Sequence, residues 1–311
     1  MHKSVLLQEV IGGLGLKDGA TVLDGTFGAG GHSAEVLKRF PDARIIALDA
    51  DNGAIARGQE KFGGKISFHN SNFRNLDQVL KQAGVERVDG IILDLGLSSD
   101  QLSPPAGGFG RGFSFMKDEP LLMTFGSNGN MKENPSPEVL TAADVVNDWE
   151  EVNLEKIIRG YGEERFARKI ARGIAERRKL GRIKTTADLV EVIENSVPGS
   201  YKRGRMHCAT KTFQALRIAV NDELGALSEG LEKGFEVLKS DGRMAVISFH
   251  SLEDRIVKRF YREKVKEGRA IFPPKADQPR AEIRKPITAS KEEIMINPRA
   301  RSAKLRIIQK K

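Results

Sequence analysis

The sequence predicts an α/β fold: a parallel sheet with helices on both faces, interrupted by an inserted helical segment. Three observations predict it. Short β-rich runs alternate with helix-length segments over the first hundred residues. Three of those runs end in aspartate, at Asp24, Asp49 and Asp94. The alternation then lapses, and it resumes only late in the chain.

In order, residues 21–23 form a short strand ending at Asp24, and residues 35–39 continue a helix that Ser33 is placed to cap. Residues 44–48 (RIIAL) are a second strand, ending at Asp49. Residues 65–69 (KISFH) alternate and make a third, residues 76–83 are helical, and residues 90–93 (GIIL) are a fourth strand ending at Asp94. In sheets connected this way ligands sit beyond the carboxyl ends of the strands, near the topological switch point. The three aspartates therefore collect on one edge.

Residues 103–137 are rich in Gly, Pro and Asn and read as a long loop, a class often functional or mobile. Beyond it Leu154, Ile157, Ile158, Tyr161, Ile170 and Ile174 keep helical spacing, with Arg and Lys on the other face. Residues 187–197 are a further helix, stopped by Pro198-Gly199. Phe213, Leu216, Val220 and Leu224 share a helical face that Leu227, Leu231, Val237 and Leu238 extend. A turn at 240–242, a strand at 243–249 and a helix through Tyr261 follow, opened by a capping box at Ser251 with Asp254 in place of Glu. Residues 268–300 read as a surface loop and 304–308 as a last strand. The expected domains are 1–103 with 207–311, and an inserted loop-rich and helical domain at 104–206.

A chain of 311 residues can bury a substantial core. No apolar run reaches membrane-spanning length, and MHKSVLLQEVIGG lacks the pattern of a secretory signal. One cysteine, Cys208, rules out an internal disulfide and a cysteine-based metal cluster. The expectation is a cytoplasmic protein with no membrane partner and no metal. Charge is uneven: residues 154–206 carry net +7 and residues 255–311 net +12, on a remainder of net −10. Two basic segments on an acidic body point to a polyanion, with nucleic acid first; solvated basic helices are the plain alternative.

The stretch at 22–33, VLDGTFGAGGHS, packs four glycines into seven residues. A dinucleotide turn of the form G-x-G-x-x-G would need a third glycine where Ser33 stands, and no Lys follows to make a phosphate loop. What remains is an acidic strand end, a bare turn, a helix and then Asp49, 21 residues after Gly28. This is similar to the S-adenosylmethionine loop of Rossmann-like methyltransferases, an ordinary tight turn being the alternative. That cofactor has no phosphate to neutralise. Its amino-acid end suits backbone N–H groups, and a carboxylate can accept both ribose hydroxyls. In DLGLSS (94–99) Asp94 can accept an amine N–H, and Leu95 and Gly96 can offer carbonyls. Positioning matters there, because an exocyclic base amine is conjugated to its ring and weakly nucleophilic. A cap or loop role for Asp94 remains the alternative.

Seven blocks carry a more specific likeness: DGTFGAGGHS, DLGLSS-x-Q-L, RGFSF, YGEERFA-x-x-IA, TFQALRI-x-VN-x-EL, ISFHSLEDRIVKRF and NPRARSAKLR. Together, from Ser4 to Arg306, they resemble the RsmH (MraW) family, cytidine-N4 methyltransferases of small-subunit ribosomal RNA. The resemblance implies a Rossmann-like S-adenosylmethionine-dependent methyltransferase sheet with an inserted helical domain, S-adenosyl-L-methionine as cofactor, and 16S ribosomal RNA or the small subunit as partner, near the decoding centre. It implies cofactor contacts at Gly30, Gly31, His32, Asp49, Phe73, Asp94 and Gln101, with Asp94 also positioning the amine. Phe73 is placed to pack on the adenine, core packing being its alternative. His207, His250 and Trp149 are expected to be structural or capping, with His250 a secondary site candidate. The basic insertion and C-terminal loop are the expected RNA-binding parts, and the target base must leave its stack.

The sequence departs from the family pattern at residues 118–125 (DEPLLMTF), which lack a second acidic residue and an Arg, and at HCATK (207–211). The loop before RGFSF is also longer. These changes bear on the RNA-facing rim and leave the cofactor positions untouched. The competing readings are a methyltransferase with another target, a non-catalytic RNA-binding or ribosome-assembly factor, and a nicotinamide oxidoreductase.

Overall fold

The computed structural model describes residues 4–102, 110–126, 139–274 and 284–311. The chain begins α1 (Leu7–Leu14), β1 (Thr21–Asp24), α2 (Gly31–Arg39), β2 (Arg44–Asp49), α3 (Asn52–Phe62), β3 (Ile66–Asn70), α4 (Leu76–Gln82) and β4 (Val88–Asp94). Seven helices follow: α5 (Ser99–Leu102), α6 (Ala142–Asp148), α7 (Glu151–Gly160), α8 (Ala167–Arg177), α9 (Thr186–Ser196), α10 (Gly199–Lys202) and α11 (Thr210–Asn221). It closes with α12 (Glu223–Val237), β5 (Leu238–Ser248), α13 (Ser251–Lys266), β6 (Ala270–Ile271), β7 (Ile287–Thr288), α14 (Lys291–Ile296) and β8 (Lys304–Lys310). Two compact units result: Met1–Gly96 with Leu224–Lys311, and Leu97–Glu223. No helix among the described residues is long and apolar enough to cross a membrane.

The first unit is built on a sheet of order β3-β2-β1-β4-β5-β8-β6, with β7 also paired to β8. Neighbours from β3 through β5 run parallel, and β8 is antiparallel to β5. Strand order reverses between β1 and β4, which makes that gap the switch point. Side chains alternate between two apolar cores, as a period of two requires. Leu23, Ile46, Leu48, Ile91, Leu93, Met244 and Val246 point into the core shared with α4, α12 and α13. Val22, Ile45, Ala47, Ile92, Ala245 and Ile247 point into the other, with α1 and α2. Central parallel strands buried on both faces need apolar residues at every position, which is why their runs in the sequence are unbroken.

The second unit packs α6, α7, α8, α9 and α11 around one core that includes Leu154, Ile158, Ile170, Ile174, Leu189 and Phe213. Its helix starts are explicit. Thr141 with Asp144, and Thr185 with Asp188, form reciprocal capping boxes at α6 and α9. This unit extends beyond residues 104–206 because α11 packs on α6 and α7.

Several local expectations change. The helix expected from Phe213 to Leu238 is two helices, broken at Asp222, whose backbone is left-handed at φ 46°. Leu238 opens β5 instead of closing a helix. The turn at 240–242 lies inside β5 as a register jump, pairing moving from Val88↔Leu238 to Gly90↔Arg243. The surface loop expected at 268–300 holds β6, β7 and α14, short elements whose pattern is too brief to read from sequence; residues 275–283 lie outside the described set. Of the long loop at 103–137, residues 103–109 and 127–137 lie outside it as well. Within 110–126, Glu119 is buried: its carboxylate accepts the Gly112 amide at 3.0 Å, and its own amide donates to Thr186 Oγ1 at 3.0 Å.

Candidate active site

Parallel strands place Asp24, Asp49 and Asp94 at the same edge of the sheet, at the ends of β1, β2 and β4, with β1 between the other two. The turn after β1 is tied to both flanking strands. The Gly25 amide donates to the Ile92 carbonyl at 2.9 Å and the Phe27 amide to the Leu48 carbonyl at 2.9 Å. Gly28 and Gly30 take φ of 55° and 73°, conformations that cost an ordinary residue strain. At Gly31 the constraint is space: a Cβ would fall 1.9 Å from Ser4 Oγ.

Two carboxylates organise this turn. Asp49 accepts the Gly28 amide on Oδ2 at 2.7 Å and the Asp51 amide on Oδ1 at 2.8 Å. Burial pushes its carboxyl up to about 6, against the lowering effect of those two amides. Asp24 is fully buried, with its Oδ2 accepting the Ser33 hydroxyl at 2.6 Å and its Oδ1 the Thr26 amide at 3.3 Å. Burial raises its pKa too, the Ser33 hydrogen bond opposing. Ser33 is therefore no helix cap: Gly30 is the N-cap of α2, and the serine sits in its first turn, latched to Asp24.

Asp94 is half-buried. Its amide donates to Thr26 Oγ1 at 2.6 Å, which joins the end of β4 to the glycine turn, and its Oδ1 accepts the Gly96 amide at 3.2 Å. Phe73 is also half-buried and adjoins the turn. A Cβ on Gly25 would lie 3.2 Å from Phe73 Cβ, and one on Gly230 would strike the Phe73 ring at 2.5 Å. Gly230 of α12 thus makes room for that ring. His32 is buried, its Nε2 lying 3.2 Å from the Val5 carbonyl. A carbonyl only accepts, so this nitrogen carries the proton and the ring pins the N-terminal segment. Among the residues expected here, Gly30, Gly31, Asp49, Phe73 and Asp94 therefore adjoin one turn, while the His32 side chain turns away to Val5. Gln101 belongs to the second unit, where its side-chain oxygen accepts the Ser98 amide at 2.8 Å.

Thr26 and Ser33 were the residues missed. Their signal was present inside VLDGTFGAGGHS, as the two hydroxyls among the glycines.

The remaining candidates make capping and packing contacts. His250, not Ser251, caps α13, its Nδ1 facing the Glu253 amide while the buried Glu253 carboxylate accepts the Phe249 amide at 2.7 Å. Trp149 closes α6, and its carbonyl accepts Arg178 Nη1 at 2.6 Å. His207 Nδ1 accepts the Ala209 amide at 3.2 Å, and its ring stacks on Phe115 at 4.7 Å. Glu194, His207 and Cys208 bring one donor each within 4.8 Å. With Nδ1 accepting, however, the His207 Nε2 that faces Glu194 carries the proton and is not a ligand lone pair.

The antiparallel β8 between β5 and β6 sets the sheet apart from the all-parallel dinucleotide-binding sheet. The model of the MraW methylase family matches residues 1–311, and the chain belongs to that family. With the family match, the fold is that of a Rossmann-like S-adenosylmethionine-dependent methyltransferase. The chain is similar to proteins named Ribosomal RNA small subunit methyltransferase H. That of Clostridium botulinum is 44% identical over 321 residues, covering 99% of this chain and 98% of the relative. Those of Symbiobacterium thermophilum and Persephonella marina are 43% and 41% identical, covering 99% of this chain and 96% and 99% of theirs.

Proposed function

We propose that this chain transfers the methyl group of S-adenosylmethionine to the N4 amine of a cytidine in 16S ribosomal RNA, near the decoding centre. The observation that carries the reading is the Gly28–Asp49 hydrogen bond at 2.7 Å, with Asp94 held to the same turn through Thr26. The relatives' names support ribosomal RNA as substrate. The 7-block resemblance supports the cytidine amine.

The residues fit the cofactor. Each Asp49 oxygen accepts one backbone amide and keeps a second acceptor site, which suits a ribose diol. Burial holds this carboxyl near 6, so two further donors would favour its charged form. Gly28, Gly30 and Gly31 expose backbone without side chains, and Phe73 offers an aromatic edge beside the turn. When bound, the cofactor supplies an electrophilic methyl on a sulfonium, and an edge carrying three carboxylates favours that positive charge. Gln101 is proposed as a further contact on the strength of the resemblance alone.

Asp94 is the proposed positioning group. Its carboxylate accepts an N–H of the target amine and so directs the nitrogen lone pair toward the methyl donor. The Thr26 hydroxyl fixes the Asp94 backbone, and the Gly96 amide limits how far the carboxylate can swing. After transfer the nitrogen is strongly acidic, and it gives up its proton without a dedicated base. The basic segments hold the RNA backbone while the base leaves its stack.

The test is to incubate the protein with labelled S-adenosylmethionine and undermethylated small subunits, digest the RNA and identify the product. N4-methylcytidine is expected. Its absence, with folded protein that binds the cofactor, refutes the proposal.

A further inference from the structure

We propose that α13, residues 284–285 and β8 form a binding site for a backbone phosphate of RNA, a proposal that rests on the RNA reading above. A pocket in the sheet unit is lined by Lys258 and Arg262 of α13, Arg284 and Lys285 ahead of β7, and Arg306 of β8. Tyr261, Phe272 and Ile307 complete its walls, and no carboxylate lines it among the described residues. Five cations from three chain segments converge on one small concavity. Lys258, Arg262 and Lys285 crowd beside the Arg306–Asp254 pair, and their mutual repulsion favours an anion there.

The pocket is built on fixed parts. The Arg306 guanidinium is nearly buried and held by Asp254, Nε to Oδ1 at 2.7 Å and Nη2 to Oδ2 at 3.3 Å. Tyr261 is buried, with its hydroxyl donating to the Met244 carbonyl at 3.1 Å. Lys258, Arg262 and Lys285 have no carboxylate partner among the described residues. They are also part of a larger feature: Arg255, Lys258, Arg259, Arg262 and Lys266 all fall on one exposed stripe of α13.

The chemistry selects the ligand. Guanidinium forks and ammonium groups match phosphate oxygens, and a site of donors without acceptors reads charge and not base edges. A membrane-surface helix would need free apolar residues beside its cations. Here Val257, Phe260 and Tyr261 are all buried against the sheet. α13 starts directly after β5, at the edge that carries the aspartates, and Lys258 lies roughly 10 Å along it at about 1.5 Å per residue. An RNA strand with one base at that edge can lay a phosphate here.

The experiment compares wild type with the triple variant Lys258→Glu, Arg262→Glu, Lys285→Glu. A charge-matched control carries Lys17→Glu, Lys65→Glu and Lys81→Glu. Binding to a 16S ribosomal RNA fragment is followed by anisotropy across a salt series, and S-adenosylmethionine binding by calorimetry. Loss of this one phosphate contact should reduce the slope of log Kd against log salt by about 0.7 on a single strand. RNA affinity should fall at least tenfold while cofactor affinity holds, and the control should keep the wild-type slope. If the triple variant does not fold, the pair Lys258→Gln, Arg262→Gln should lose up to about 0.7 of slope. An unchanged slope overturns the proposal, as does an equal loss in the control. So does loss of binding to phosphatidylglycerol vesicles with RNA binding retained. Wild type that neither binds RNA nor methylates subunits fails the functional reading as well. Wild type that methylates, beside a variant with an unchanged slope, fails the pocket alone.

Discussion

Glu164 in the helical unit and Asp49 in the sheet unit both accept two hydrogen bonds out of bulk water, yet they serve different ends. Glu164 accepts the Phe166 amide at 2.8 Å and the Tyr201 hydroxyl at 2.6 Å, 37 residues away. Burial, and then Glu164 itself, push the Tyr201 phenol up to about 12, so it stays a donor. Arg165 lies 4.8 Å from the ring centroids of both Phe166 and Tyr201. That carboxylate joins distant pieces of a helical core. Asp49 instead accepts only backbone amides of the loops around it, beside a turn whose glycines leave room for a ligand. Burial of an acid therefore does not mark a site by itself. Acceptor capacity left over next to open backbone does.

This contrast can be broken by substitution. Glu164→Ala removes two hydrogen bonds to a charged group, each worth about 1.5–3 kcal/mol, and should cost on the order of 3 kcal/mol of stability in denaturant melts. Its effect on cofactor affinity should be under about twofold. Asp49→Ala should do the reverse, weakening S-adenosylmethionine binding by about ten- to a hundredfold in calorimetry while RNA affinity is largely kept. Equal loss of both affinities would contradict the separation of sites.

Proton linkage sharpens the same comparison. Asp49 titrates near 6 in the fold against an ordinary 3.8, so the native state binds its proton more tightly between those values. Its contribution to stability is full below 3.8 and is lost as pH rises through 6. Ligand hydroxyls prefer the charged form, so cofactor affinity should rise from pH 5 to pH 7, and Asp49→Asn should flatten that rise. The smallest effect belongs to a helix cap in the helical unit. Thr185→Ala removes the cap of α9 and should cost about 1 kcal/mol, read as a lowered melting temperature with unchanged cofactor binding.

Much of the sheet was legible because its physics is local. Continuous apolar runs such as GIIL can only be satisfied with both faces covered, and an aspartate after each run marks the point where the strand leaves the core. The glycine turn was legible for a similar reason, since φ above zero at Gly28 and Gly30 is a property of residue type. Ser33 was misread because a serine near a helix start is most often a cap. Only the crossing of β1 with α2 shows that Asp24 lies within reach of it. Helix continuity across Asp222 was misread because the apolar spacing persists through the break.

By itself, the sequence determined the strand and helix alternation, the acidic strand ends and the bare turn, all consequences of side-chain periodicity and backbone freedom. The tertiary structure decided which hydroxyl latches which carboxylate, that His32 faces Val5, and that five cations from three segments, Arg306 among them, meet at one concavity. Those outcomes depend on contacts between residues far apart in the chain. No local pattern encodes such contacts, because they exist only once sheet order and register have brought the segments together.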